Sequence, residues 1–348
     1  MTTVVAAKPQ SPGVESHDAG ARATRPPAPK RRQSLRGRLV VRGLSVLSGL
    51  LTRLPERPLV GLAWAWGGVL YRTRPARRRL VRANLERVCT YLAAHDMGGP
   101  RTAAAARDAR ELDRLVRDAF GHWVRSYLEN ATVRRFALPA ELARVQPDVP
   151  ALADEAFPAG RRGPTIVVGL HFGAVEIPAL WATARGVPIT APMETIADPD
   201  LQAYFERSRG QTGLRVIPLA GAATVVRDTL DRGETVALVA DRQIGGKGVR
   251  VDLFGAPARL PAGPAVLALE TGAPTWLVAT RRAGARYPTR LERLEMPATG
   301  TTRERLAGFM DAQARAFERA IADAPEQWWT MFFPIWDDLA ADARGASH

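Results

Sequence analysis

His171 stands directly after Thr165-Ile-Val-Val-Gly-Leu170, a short β-branched run with the composition of a buried strand. Two further runs of this kind lead to residues that could do chemistry. Val187-Pro-Ile-Thr-Ala is followed by Glu194, and Glu234-Thr-Val-Ala-Leu-Val-Ala by Asp241 and Arg242. In open α/β sheets, sites form beyond the carboxyl ends of the strands. An imidazole and two carboxylates therefore converge on one sheet edge from three strands, a place suited to acid–base chemistry. The segment His171-Phe-Gly-Ala-Val-Glu176 adds another acid. On one continuous helix the His171 and Glu176 side chains would diverge. If His171 instead precedes the helix, on a turn that Gly173 eases, Glu176 can lie beside the imidazole and fix its tautomer. The alternative reading of Glu176 is a solvated surface acid. The other histidines compete poorly: His17 and His348 lie in tails, His95 in a polar linker, and His122 beside Trp123 in a helical segment.

The stretch Asp241-Arg-Gln-Ile-Gly-Gly-Lys-Gly-Val-Arg250 is glycine-rich and carries Arg242, Lys247 and Arg250. It is either a phosphate-holding loop, for instance for the pyrophosphate of coenzyme A, or simply a hairpin turn. Other chemistries lack their parts. There is no G-x-S-x-G elbow, no Walker A motif, no G-x-G-x-x-G after the first strand, and no His/Cys cluster with metal-ligand spacing. Neither a metal nor a resident cofactor is expected. The single cysteine, Cys89, excludes an internal disulfide.

The elements that must position these residues alternate. Strands are expected at 165–170, 187–191, 214–219, 234–240, 249–254 and 274–280. Helices are expected at 174–185, 199–210, 222–232 and 262–271, with a long closing helix at 302–322. This predicts an α/β fold, a central mixed, mostly parallel sheet flanked by helices. Ahead of it lies a different texture. Leu39 to Leu51 has helical apolar spacing, and Pro55 and Pro58 should end that helix. Pro58 to Tyr71 is free of charge over fourteen residues and holds Trp64 and Trp66. That is short of the roughly 20 residues a bilayer span needs. Seven arginines follow between Arg72 and Arg87, including Arg77, Arg78 and Arg79, against one acid, Glu86. Tryptophans and leucines followed by clustered arginines suit an anionic lipid interface. A pair of core helices with a solvated basic face would have the same composition. Thr102 to Asn130 reads as one or two further helices. Residues 1–36 read as a disordered basic tail without an apolar signal region, 37–130 as a helical membrane-associating region, 131–340 as the α/β core and 341–348 as a disordered end.

The chain has 348 residues, 46% apolar, with a net charge of +14. The charge needs an acidic partner: anionic lipid, a phosphorylated substrate or nucleic acid. Nucleic acid is disfavoured, because the arginines sit beside tryptophan-rich apolar segments and no zinc module, RRM signature or recognition helix is present.

Taken in order, the motifs resemble the bacterial lysophospholipid-acyltransferase-like superfamily, in the branch of the lipid A late acyltransferases and the phosphatidylinositol mannoside acyltransferases. The matching features are Arg79-x-x-Arg82-Ala-Asn84-Leu85, His171-x4-Glu176, Glu194 with Arg209, and Asp241-Arg242 with Gly248-Val-x-Val-x-x-Phe-Gly255. Pro261-x-Gly263-Pro264-Ala265, Thr271-Gly272-Ala273-Pro274 and Pro325-Glu-Gln-Trp-Trp-Thr-Met331 through Trp336 complete the series. The resemblance spans roughly residues 38 to 338. It implies transfer of an acyl group from acyl-CoA or acyl-carrier protein to a lipid or glycolipid hydroxyl on the cytoplasmic face of the membrane. It further implies His171 as general base, Glu176 as the motif acid, and Glu194 and Arg209 as site-lining residues. An acid at position 241 pairs with the histidine in the mannoside branch, where glutamate would be expected; here it is Asp241. A lysophospholipid acceptor, or a catalytically dead membrane scaffold on the same fold, are the rival readings. Backbone N–H groups near Gly173 are the expected donors to the reaction's oxyanion.

Overall fold

The structure is a computed structural model that describes residues 35–159, 163–194, 196, 198–243 and 248–339, without the side chains of residues 35–40 and 136. The basic tail, Lys247 and the C-terminal segment beyond residue 339 therefore lie outside the described residues.

The chain begins with helices. α1 (Leu35–Arg53) and α2 (Glu56–Thr73) are separated by a break at Leu54-Pro55. Pro55 takes the N-cap position of α2 rather than merely ending α1, and Pro58 sits in the first turn of α2. A proline is tolerated there because the first N–H groups of a helix have no intrahelical acceptor. α3 (Pro75–Ala94), α4 (Pro100–Ala105), α5 (Ala109–Ala131), α6 (Val133–Phe136) and α7 (Pro139–Leu142) complete this layer. α2 lies close across α5. A Cβ on Gly67 would come within 2.7 Å of the Gly121 backbone, and one on Gly121 would overlap the Trp64 ring. Two glycines thus set the helix separation, and Trp64 meets His122 edge-on with ring centroids 5.1 Å apart.

The α/β part follows as β1 (Val145–Pro147), α8 (Pro150–Ala156), β2 (Thr165–Gly169), α9 (Ile177–Ala184), β3 (Ile189–Met193), α10 (Pro199–Gly210), β4 (Arg215–Pro218), α11 (Ala222–Asp231) and β5 (Thr235–Val239). Then come β6 (Val249–Leu253), β7 (Ala256–Leu260), α12 (Gly263–Thr271), β8 (Thr275–Thr280), β9 (Tyr287–Leu294) and α13 (Thr302–Ala322). Among the described residues seven strands form one sheet in the order β1-β9-β8-β2-β5-β3-β4, while β6 and β7 make a separate hairpin. Every neighbouring pair in the sheet is parallel except β8 with β9. The expected mixed, mostly parallel sheet is present.

Alternation along β2 divides the core between the two faces. Ile166 and Val168 join the larger cluster, with Val226 of α11, Ala265 of α12, Phe317 of α13 and Phe120 of α5. Val167 faces the smaller cluster with Ala153 of α8, Ala182 of α9 and Trp276. The N-terminal helices thus share the sheet's main core. β2, β5 and β3 are adjacent, so the residues after their carboxyl ends are neighbours.

Candidate active site

His171 follows β2 and Asp241 follows β5, the two central parallel partners. The His171 ring nitrogen Nδ1 lies 2.8 Å from Asp241 Oδ1. Asp241 Oδ2 accepts three more hydrogen bonds: from the His171 backbone N–H at 3.0 Å, the Trp328 indole N–H at 2.7 Å and the Thr330 hydroxyl at 2.7 Å. Burial works to raise the Asp241 pKa, but the His171 ring and the Thr330 and Trp328 donors outweigh it and hold the carboxyl below its ordinary value. Asp241 is therefore an ionised acceptor, Nδ1–H donates to it, and Nε2 of His171 is left as the basic nitrogen.

The C-terminal segment builds the back wall. Trp328 bridges to Phe172, and the Trp329 N–H donates to the His171 carbonyl at 3.0 Å. The Gln327 carbonyl accepts from Gly173 N–H at 3.0 Å, while its side chain donates to the Arg282 carbonyl and accepts the Arg282 N–H, both at 2.9 Å. Gly173 has φ of 52°, and a Cβ there would overlap the Thr280 carbonyl. Only glycine permits this approach of the His171 loop to the end of β8.

Glu176 is not beside the imidazole. It stands at the N-cap position of α9 without a side-chain capping bond and pairs with Arg209 of α10, Oε1 accepting from Nη2 at 2.8 Å and from Nε at 3.1 Å, and Arg209 also donates to Asn130 of α5 at 2.8 Å. The structure thus gives the histidine to Asp241 and the motif acid to an arginine. The shorter aspartate reaches because β2 and β5 are direct neighbours. Neither Gly173 nor Ala174 offers a free amide, since the Ala174 N–H donates to the Thr280 carbonyl at 2.9 Å.

Glu194 receives Arg242 at 2.9 Å, and the Arg242 guanidinium lies 4.3 Å from the Phe333 ring centre. Arg250 is exposed on β6, directly opposite Arg259 of β7. Arg77 donates to the Phe332 carbonyl, and the Arg78 guanidinium lies 5.1 Å from the Tyr71 ring centre. These two arginines are therefore tied into the fold, while Arg79 is exposed. Trp64 touches α5 yet is 38% exposed, and Trp66 is 56% exposed. Trp328, Thr330 and Gln327 were not singled out as site residues from sequence. Their signal was the Gln327-Trp-Trp-Thr330 run in the C-terminal signature, to which no role was attached.

Val175 lines two pockets of opposite character. An apolar one also includes Val167, Leu170, Phe172, Ala179 and Val278; a polar one also includes Ser126, Glu129, Asn130, Glu176 and Arg282. Arg282 is buried and paired with Glu129. Among the described residues no cluster of His, Cys, Asp and Glu is placed to hold a metal ion, and no helix is long and apolar enough to cross a membrane.

The model of the bacterial lipid A biosynthesis acyltransferases matches residues 108–337, well over half of the chain. This chain belongs to that family. It is an acyltransferase acting in lipid or glycolipid biosynthesis. It is 28% identical over 304 residues to a phosphatidylinositol mannoside acyltransferase of Mycolicibacterium smegmatis, covering 85% of this chain and 91% of the relative. It is 29% identical over 232 residues to a protein of the same name from Mycobacterium tuberculosis, covering 65% of this chain and 71% of the relative.

Proposed function

We propose that this acyltransferase moves a fatty acyl group from acyl-CoA or acyl-carrier protein to a hydroxyl of a mannosylated inositol phospholipid, with His171 as general base. The observation that carries this reading is the His171–Asp241 pair: a buried carboxylate orients the imidazole at the carboxyl edge of the sheet, with an apolar pocket beside it. His171 Nε2 takes the acceptor hydroxyl's proton as the oxygen attacks the thioester carbonyl, and Asp241 stabilises the imidazolium. The imidazolium then protonates the leaving thiolate. A positioned base of this kind contributes about 10²–10⁴-fold. The apolar pocket lined by Val167, Phe172 and Val278, about 50 Å³, offers room for only a few methylenes of the acyl chain. The polar pocket, about 10 Å³ and lined by carboxylates, an amide and an arginine, offers hydrogen-bonding groups to one hydroxyl of the headgroup rather than room for the headgroup itself. Glu176 lines it, and Arg209 ties Glu176 to Asn130.

Arg242, Arg250 and Lys247 serve the phosphates of the donor. Membrane association as a peripheral protein on the cytoplasmic face rests on the solvent-facing Val46, Leu47, Leu50, Leu62 and Trp66 of α1 and α2, beside exposed Arg74 and Arg79. The acceptor class follows the phosphatidylinositol mannoside acyltransferases that the chain resembles. The test is direct: the purified chain is given palmitoyl-CoA and vesicles containing phosphatidylinositol mannoside, lysophosphatidic acid or neither, and products are read by mass spectrometry. Acylated mannoside is expected. Acylation of lysophosphatidic acid alone would replace this reading with a lysophospholipid acyltransferase.

A further inference from the structure

Attack on a thioester puts a negative charge on the former carbonyl oxygen, and that oxygen needs a donor already in place. The nearby backbone amides are committed: His171 to Asp241, Phe172 to Leu170, Gly173 to Gln327 and Ala174 to Thr280. Arg242 is held by Glu194 and lies over Phe333. Trp329 differs from all of these. Its ring meets His171 edge-on, centroids 4.4 Å apart at 73°, and its backbone N–H is bonded to the His171 carbonyl. Its indole Nε1 is buried, and among the described residues no acceptor lies within hydrogen-bonding distance. One residue earlier, the same side-chain type on Trp328 gives its indole N–H to Asp241. Burying an unpaired N–H costs roughly 1–3 kcal/mol, so such a group beside a reacting imidazole is suited to a partner that arrives with the substrate.

We infer that the Trp329 indole N–H is the oxyanion donor of the acyl transfer. The inference rests on His171 being the base. The acceptor oxygen forms its bond to the carbonyl carbon while its proton passes to His171 Nε2. The carbonyl π pair moves onto oxygen, where the Trp329 N–H receives it. The pair returns as the C–S bond breaks, and the proton on His171 goes to the sulfur, leaving an ester and a free thiol. Adjacent tryptophans would thus divide the work: Trp328 holds the acid that orients the base, and Trp329 meets the charge that the base helps create.

The experiment replaces Trp329 in the full chain by its benzothiophene analogue, in which sulfur takes the place of the N–H, and compares it with Trp329→Phe. Palmitoyl-CoA and phosphatidylinositol mannoside vesicles are the probes, thiol release and ester formation the readouts, and His171→Ala runs in parallel. The sulfur analogue keeps the ring and its packing, so a folding defect in Trp329→Phe leaves the test intact. Loss of one oxyanion donor should lower kcat by about 10²-fold with KM for palmitoyl-CoA unchanged. Wild-type kcat in the analogue, or a change confined to KM, overturns the inference. If His171→Ala is inactive at the same time, the base assignment survives that failure. If His171→Ala is active, both fall.

Discussion

At the carboxyl edge of the sheet a fully buried carboxylate accepts four hydrogen bonds, whereas α1 and α2 leave Val46, Leu47, Leu50, Leu62 and Trp66 in solvent. The first arrangement over-determines one side chain. Strands β2 and β5 and the C-terminal segment all fix Asp241, because a buried charge is tolerated only when every lone pair is met. The second leaves apolar surface without a partner among the described residues, the usual mark of a surface that meets something else. The difference teaches where precision is needed. Proton transfer depends on placement within a hydrogen bond's length, while adhesion to a lipid surface needs area and charge.

The comparison breaks most visibly at His171. Changing His171 to Ala should reduce transfer by about 10²–10⁴-fold, with vesicle sedimentation unchanged. Loss of sedimentation along with activity would mean that the two regions are not separable.

Next in size are the donors behind the site. Trp328→Phe or Thr330→Val each removes a hydrogen bond to an ionised group, worth about 1.5–3 kcal/mol. Asp241 has its folded pKa below the ordinary value of 3.8, so its contribution is complete above that value and is lost as pH falls through the lower folded value. Either substitution should move the folded pKa back up. Acid unfolding, followed by circular dichroism, should then begin at higher pH than in wild type. An unmoved acid limb would remove these residues from the account of Asp241.

On the helical side, Leu47→Ser with Leu50→Ser and Trp66→Ser should remove most of the salt-resistant binding to anionic vesicles, each buried apolar side chain being worth about 1.5–3 kcal/mol. Turnover of a detergent-dispersed acceptor should stay at the wild-type level. Equal sedimentation before and after the substitutions would leave this face without a membrane role. The smallest effect is electrostatic. Arg74→Glu with Arg79→Glu should weaken vesicle binding by about 1 kcal/mol per arginine removed, and only at low salt. Arg77 is unsuited to this test, because it is bonded to the Phe332 carbonyl and its reversal would disturb the wall behind the site.

Much of this was legible in the sequence, for physical reasons. β2 and β8 are buried on both faces, and β5 over its first residues, so they read as unbroken apolar runs. β9 was missed because Pro288, Arg290, Glu292 and Arg293 interrupt its apolar residues, and β1 and β7 are short and carry proline. His171 and Asp241 could be found because parallel topology puts strand ends side by side. Trp328 and Thr330 could not, since a donor to a carboxylate 87 or 89 residues away looks like any core residue. The spacing of His171 and Glu176 pointed to a contact that the structure gives instead to Glu176 and Arg209. Spacing along a strand-to-helix turn does not fix which way either side chain leaves it.

The most direct measurement sets the two acids against each other. Turnover and acceptor KM are determined for Asp241→Asn and Glu176→Gln with palmitoyl-CoA and phosphatidylinositol mannoside. If Asp241 orients the base, Asp241→Asn should lower kcat by about 10²–10⁴-fold at unchanged acceptor KM. Glu176→Gln, which weakens the Arg209 link between two lining residues of the polar pocket, Glu176 and Asn130, should act chiefly on acceptor KM. Near-wild-type turnover in Asp241→Asn, with the large kcat loss in Glu176→Gln, would contradict a His171–Asp241 base.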